Sequence, residues 1–218
     1  MTRKKLLILT LSFCLLDTLA PLAATPEIRI LQRRAAQDAA VVLPADASTI
    51  LRYTVSDFNE DCRESAGRRL PVVTTLREAG SRPVILPAVI GKSPLLDRLI
   101  AEKRIDVDSI RGEWESFAII PVARPFADYP AIPEALIVAG SDERGAMYGL
   151  YEVSERLLGT DPQKFWTDAV PHRVKSARWD QGMVVQGPPT FRFRGWFVND
   201  ETLLSLSLIH ISEPTRLR

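Results

Sequence analysis

Cysteine and histidine are nearly absent from this chain, with two of each in 218 residues. Cys14 lies in an apolar N-terminal run, which leaves Cys62 as the single thiol expected in the mature chain and excludes an intrachain disulfide there. A nucleophilic role for Cys62 has no support, since nothing around Asp61-Cys62-Arg63 supplies a positioned histidine. No Cys and His cluster has zinc spacing, so there is no sequence case for a metal, and no cofactor is expected. Net charge is also scarce, at +1 overall. Arginines outnumber lysines but are scattered, and without a basic field no nucleic-acid partner is expected. Long hydrophobic runs are missing too: Leu6–Leu16 is too short for a convincing membrane span, and Asp17 ends it.

What is present begins with a targeting pattern. Thr2–Lys5 is basic, Leu6–Leu16 is apolar, and Leu22-Ala23-Ala24 supplies small residues. That order predicts a signal peptide over 1–24, cleaved near Ala24, and a secreted or periplasmic protein with no membrane contact after cleavage. Phe13 is too bulky before Cys14 for a lipoprotein box. At the other end, Leu206–Arg216 (LSLIHISEPTR) continues no helix or strand period and matches the translation of a transposase adapter used in sequencing libraries. Residues 204–218 are therefore read as a non-native tail, and His210 goes with them.

Between these ends, strands alternate with helices. Ala40–Leu43 and Thr49–Tyr53 read as short strands separated by Pro44 and Asp46. Val55–Ala66 reads as a helix capped by Ser56. Val84–Ile90, broken at Pro87, reads as an edge or irregular strand because proline cannot donate to a ladder. Ser93 caps an expected helix over Pro94–Lys103, with Leu95, Leu96 and Leu99 on its apolar face. Trp114–Val122 and Ala135–Ala139 are the clearest strands, and a helix is expected over Asp142–Leu158. Pro171–Pro189 carries few periodic apolar residues and ends in Gly187-Pro188-Pro189, a boundary. The fold class is α/β, with a layered N-terminal domain over 25–187.

Three places could carry chemistry. Gly140–Gly149 (GSDERGAMYG) joins a strand to a helix, which invites a phosphate-loop reading. It lacks Gly-Lys-Ser/Thr and G-x-G-x-x-G, and Asp142 and Glu143 put negative charge where phosphate would sit. A structural role is expected instead: Ser141 or Asp142 caps the helix, and Gly145 and Gly149 let it approach the sheet. Phe165-Trp166-Thr167-Asp168 and Trp179-Asp180 pair aromatics with acids, a way to hold sugars, but core packing is the commoner fate of tryptophan. Phe191–Glu201 (FRFRGWFVNDE) passes from alternation into an apolar run and closes on Asn199, Asp200 and Glu201. It reads as a β-strand with polar groups where it stops. In a (β/α)8 barrel, acids at such strand ends are where ligands bind, and such a barrel needs about 250 residues. Residues 188–203 are thus expected to start a truncated barrel, although a plain polar turn would also account for the three residues locally.

Gly112–Phe117 (GEWESF), Ala135–Gly149, Tyr151–Glu155 (YEVSE) and Phe191–Glu201 together resemble glycoside hydrolase family 115, the xylan α-1,2-glucuronidases, in order and spacing. The resemblance covers about Tyr53 to Glu201. It implies a secreted multidomain enzyme with an N-terminal α/β domain before a (β/α)8 catalytic barrel. Such an enzyme releases glucuronic acid, often 4-O-methylated, from glucuronoxylan with inversion, one carboxylic acid protonating the leaving oxygen and a carboxylate activating water. Asn199, Asp200 and Glu201 match the family's motif after the first barrel strand. This implies substrate binding by all three, with Asp200 the candidate for catalysis and Asn199 orienting hydroxyls; the main acids would lie on later strands. The segment Thr160–Lys164 departs from the family's more aromatic pattern. The expected partner is a polysaccharide or oligosaccharide, with homodimerisation considered for the full-length enzyme. The present chain alone is expected to be inactive. The alternatives are a non-catalytic carbohydrate-binding or scaffolding module and, less favoured, a nucleotide-binding domain at Gly140–Gly149.

Overall fold

A central sheet whose main strands are buried on both faces organises the fold. The computed structural model describes residues 26–32, 37–164 and 166–195. The chain forms two units, Met1–Pro188 and Pro189–Arg218. In the first, the strands are β1 (Ile28–Leu31), β2 (Ala40–Val42), β3 (Val72–Val73), β4 (Val84–Val89), β5 (Phe117–Ala123), β6 (Glu134–Gly140), β7 (Ala177–Trp179) and β8 (Val184–Gln186). The helices are α1 (Thr49–Ala66), α2 (Leu76–Ala79), α3 (Pro94–Ala101) and α4 (Glu143–Leu158). Six strands form one mixed sheet in the order β3-β2-β4-β6-β5-β8; β3, β2, β4 and β6 are parallel, and β5 is antiparallel to both β6 and β8. Strands β1 and β7 pair antiparallel as a separate ribbon.

Because successive strand residues face opposite sides, the sheet feeds two cores. Val41, Ile85, Ile119, Leu136 and Val138 pack with Val55, Phe58 and Cys62 of α1, Leu150, Val153 and Leu157 of α4, and Trp179. Val42, Leu86, Ile120, Ile137 and Ala139 pack with Leu76 of α2, Leu96 and Leu99 of α3, and Ile110 and Phe126 from the intervening loops. The architecture is a helix–sheet–helix layer structure, as the α/β pattern predicts.

Several local expectations are corrected. Thr49–Tyr53 is the first part of α1, not a strand. The cap is Ser48, whose Oγ accepts from Leu51 N–H at 3.3 Å, and not Ser56. Buried Leu51, Val55, Phe58, Cys62 and Ser65 recur every three or four residues, so the inward stripe of one long helix overrides the β-branched residues at its start. Gly67 closes α1 in the left-handed region at φ +76°. β4 is a central strand despite Pro87. Ala40 N–H donates to Pro83 O and Ile90 N–H to Gly140 O, so odd residues of β4 face β2 and even ones face β6. The missing N–H of Pro87 therefore falls on the β2 side, beyond the last registered pair Val41–Ile85. Pro171–Pro189 is not without regular structure, because β7 and β8 lie in it; each is only three residues long and finds its partner far away in sequence. α3 ends at Ala101, short of Lys103.

Of the second unit, residues 189–195 are described. They form no strand, and Phe191 and Phe193 are exposed. The strand expected from Phe191 is thus not found over 191–195: a strand exists only through paired neighbours, and none of the described strands pairs with this segment. Trp196–Val198, Asn199, Asp200 and Glu201 lie outside the described residues, as do the signal segment and the 204–218 tail.

Candidate functional site

Parallel strands in an open α/β sheet end at one edge, and ligands of such folds bind outside that edge. Here β6 ends there at Gly140. Because β5 runs the other way, its start lies there too, with Phe117 opposite Gly140 and also opposite Gln186 at the end of β8. Trp114–Ser116, Ser141–Gly145 and Gly187 are thereby brought together.

Their hydrogen bonds form a closed set. Ser116 N–H donates to Ser141 Oγ at 3.0 Å, while Ser141 N–H and its hydroxyl donate to Ser116 O at 2.9 and 3.0 Å. Asp142 caps α4, one carboxylate oxygen accepting from Gly145 N–H at 2.7 Å and the other from Glu115 N–H at 2.9 Å. Glu115 is buried with φ +49°, a backbone region costly for a residue with a side chain. Its carboxylate is met by Arg144 Nη1 at 2.8 Å, and Glu115 holds the Arg144 guanidinium firmly protonated. The backbones come so close that a Cβ on Gly145 would lie 2.1 Å from Ser116 O, and one on Gly187 would lie 2.5 Å from Ser116 Oγ.

This junction is structural. The Gly145 and Glu115 N–H groups are already bound to the Asp142 carboxylate, which puts negative charge where a phosphate would sit, and the nearby Lys92 ammonium pairs with Glu143 at 3.0 Å. The expectation of a capped helix brought close to the sheet by glycine holds, with Asp142 as the cap.

A second polar cluster lies in the seam between α1 and α4. The Tyr151 hydroxyl donates to Asp57 Oδ2 at 2.7 Å, and burial together with the Asp57 charge pushes its pKa up. One turn along, the buried Asp61 carboxylate accepts from the Ser154 hydroxyl and from the Lys164 ammonium, which also approaches Glu64 at 3.4 Å. Burial alone would lower the Lys164 pKa, but Asp61 and Glu64 outweigh it and the net shift is upward. Ser154 is itself buried, so this is an anchor and not an exposed nucleophile. No local signal reveals the Asp61–Lys164 pair, since the partners are 103 residues apart in sequence.

The other sequence candidates divide. Trp179 is buried, its Nε1–H donating to Gly182 O at 2.7 Å, as the packing expectation has it. Trp166 is the opposite, 68% exposed. Cys62 is fully buried, and burial, with Asp61 and Asp38 adding to it, pushes its thiol up to about 12. Asn199, Asp200 and Glu201 lie outside the described residues and are not placed against these clusters. Among the described residues there is no group of three or more His, Cys, Asp or Glu able to hold a metal ion, and no helix long and apolar enough to cross a membrane.

No family model and no curated protein matches the chain. Solved structures do, and they define the class of fold: an α/β layer of the kind found within glycoside hydrolases. One of them is a family GH115 4-O-methyl-alpha-glucuronidase with specificity for decorated arabinogalactans. It is 22% identical at a TM-score of 0.56, over 74% of this chain and 18% of that one. This chain therefore spans about a fifth of that enzyme. A GH84 protein, CpGH84D (10% identity, TM-score 0.43, 73% of this chain and 21% of that one), and a GH138 enzyme targeting pectin rhamnogalacturonan II (16%, 0.35, 69% and 15%) align too loosely to carry an argument.

Proposed function

We propose that this chain is the N-terminal α/β part of an exported α-glucuronidase that removes (4-O-methyl)glucuronic acid side chains from glucuronoxylan, with its catalytic barrel beginning in Phe191–Glu201. The observation that carries the reading is spatial. GEWESF and GSDERGAMYG, two of the blocks through which the sequence resembles family GH115, interlock at one sheet edge through Ser116, Ser141, Asp142 and Gly145. The fold likeness to a GH115 enzyme supports the same reading. In it, Asn199, Asp200 and Glu201 bind substrate and Asp200 is the candidate for a direct part in the reaction. The hydrolysis inverts the anomeric centre, with separate carboxyl groups acting as acid and base.

The test starts from the source DNA, read onward from the codon for Glu201. A continuous frame of barrel length is expected. Its product should release uronic acid from glucuronoxylan, while the present chain releases none. Because the GH115 neighbour is described as specific for decorated arabinogalactans, a glucuronate-decorated arabinogalactan is assayed in parallel. Release from that polymer alone would overturn the xylan assignment, and release from neither would overturn the glucuronidase reading.

A further inference from the structure

We propose that the sheet edge opposite the Ser116 and Ser141 junction carries an anion-binding patch, formed by Lys103, Arg104 and Arg124, that takes uronate carboxylates of the polysaccharide. The inference rests on the proposed glucuronoxylan function and adds a binding site remote in sequence from Asn199–Glu201.

Basic residues that are scattered along the sequence meet at this edge. β5 ends there at Ala123, which is registered with Glu134 at the start of β6. Arg124 follows, its N–H donating to Pro133 O at 2.8 Å. From beyond the end of α3, Arg104 reaches the same place, its Nη2 donating to Ala123 O at 3.1 Å and to Arg124 O at 2.6 Å. Lys103 precedes it, and all three residues are exposed. A guanidinium fixed by two neutral carbonyls is held in position yet keeps its charge for an anion. The acids nearby are engaged elsewhere. Glu134 accepts from Arg29 N–H at 2.9 Å and Nε at 3.2 Å, Glu102 and Asp128 take Arg98 at 2.7 and 2.6 Å, and Asp106 accepts from Asp108 N–H at 2.9 Å. Among the described residues, no carboxylate pairs with Lys103, Arg104 or Arg124.

The backbone points the same way. Lys103 at φ +54° and Arg124 at φ +47° are two of the three described non-glycine residues in the left-handed region. Lys103 stands just after the α3 cap, where glycine is usual: its N–H donates to Ile100 O at 3.0 Å, and the Arg104 N–H to Leu99 O at 2.9 Å. A side chain at such a position carries a conformational cost, and outliers of this kind cluster at ligand clamps. Here both are cations.

The charge distribution selects the partner. A net charge of +1 is too small for the long-range field that draws nucleic acids. A local group of three cations suits isolated carboxylates spaced along a neutral sugar chain, and the planar guanidinium matches a carboxylate with two parallel N–H bonds.

The experiment is surface plasmon resonance of the whole chain over glucuronoxylan, over the same polymer with its uronates reduced to neutral sugars, and over duplex DNA. Binding to glucuronoxylan is expected, lost on the reduced polymer and weakened as salt rises. Arg104→Gln and Arg124→Gly should each lower the association constant about threefold, and the double variant about tenfold. Arg124→Gly relieves the left-handed backbone, so its Tm should equal or exceed that of wild type, which separates lost binding from lost folding. Lys92→Gln, the same loss of one positive charge at the opposite edge, should leave binding unchanged. Equal binding to the reduced polymer, or a double variant that binds like wild type, would overturn the patch. Tighter binding to DNA than to glucuronoxylan would overturn the uronate assignment. The two proposals fail separately. A longer enzyme that releases uronic acid while the present chain binds no glucuronoxylan removes only the patch, and Arg124-dependent binding without any uronic acid release removes only the glucuronidase.

Discussion

Replacing Gly145 by alanine puts the sheet-edge junction under direct load. Two effects oppose each other. Alanine is the better helix former by about 1 kcal/mol, and Gly145 lies in the first turn of α4. Against this, the new Cβ would sit 2.1 Å from Ser116 O, 3.0 Å from its carbonyl carbon and 3.1 Å from its nitrogen, all backbone atoms. Ser116 O already accepts from the Ser141 N–H and hydroxyl, so it cannot retreat without stretching those bonds. Overpacking costs about 1–3 kcal/mol, and displacing the turn also weakens the Asp142 cap, worth about 1 kcal/mol. The net is a loss of about 1–3 kcal/mol, or roughly 2–12 °C in Tm at 2–4 °C per kcal/mol for a chain of this size. Urea unfolding followed by tryptophan fluorescence reads it, because Trp179 is buried in the core. Gly149→Ala is the internal comparison. Its Cβ would meet the side chains of Val138 at 2.7 Å and Phe117 at 3.2 Å, and side chains yield more readily than backbone, so its loss should be smaller. A G145A chain as stable as wild type, or one more stable than G149A, would refute this account of the junction.

Asp142→Ala removes both the α4 cap and the acceptor for Glu115 N–H and should cost about 2 kcal/mol in urea unfolding, with Asp142→Asn recovering part of it. Lys164→Met leaves the Asp61 carboxylate buried without its cation and should cost about 2 kcal/mol, while Asp61→Asn combined with Lys164→Met should cost less than Lys164→Met alone. The Cys62 thiol, raised from 9.0 to about 12 in the folded state, should show no thiolate absorbance in native protein at pH 10 and should react with a disulfide reagent only on unfolding. The unfolded chain gives up this proton first, so the contribution of Cys62 to stability is complete below pH 9 and falls as the pH rises toward 12. Cys62→Ala should flatten that alkaline decline, and native thiolate appearing near pH 9 would sink the assignment.

The parts of the fold that could be read from sequence are those in which one segment carries its own signal. β5, β6 and α4 announce themselves through long apolar runs and a glycine-rich turn with an acid at the cap. What escaped depends on partners elsewhere. Thr49–Tyr53 looks extended by its β-branched and aromatic residues, and only the inward face shared with α4 makes it helical. Pro87 argues against a central strand until the registered pairing with β2 is seen to end at Ile85, two residues before it. β7 and β8 have three residues each and become strands only because β1 and β5 lie beside them.

The candidate sites follow the same division, and this bears on the role of the chain. The GSDERG turn was legible as structure because its acids stand where an anion would need to be, and the geometry binds the Gly145 N–H to the Asp142 carboxylate. Its tie to GEWESF was not legible, for it runs through backbone atoms of Ser116 that any residue type possesses and through a Glu115–Arg144 pair 29 residues apart. Such a junction constrains sequence without performing chemistry. Resemblance through these blocks therefore speaks first for a shared scaffold, and the catalytic assignment depends on Asn199, Asp200 and Glu201. The Trp166 loop stands apart from both. Its pattern of aromatic and acid was ambiguous between packing and binding, and the two tryptophans resolve in opposite directions, Trp179 inward and Trp166 outward. Lys164 is what separates them, since it ties a loop with little apolar content of its own to a buried carboxylate.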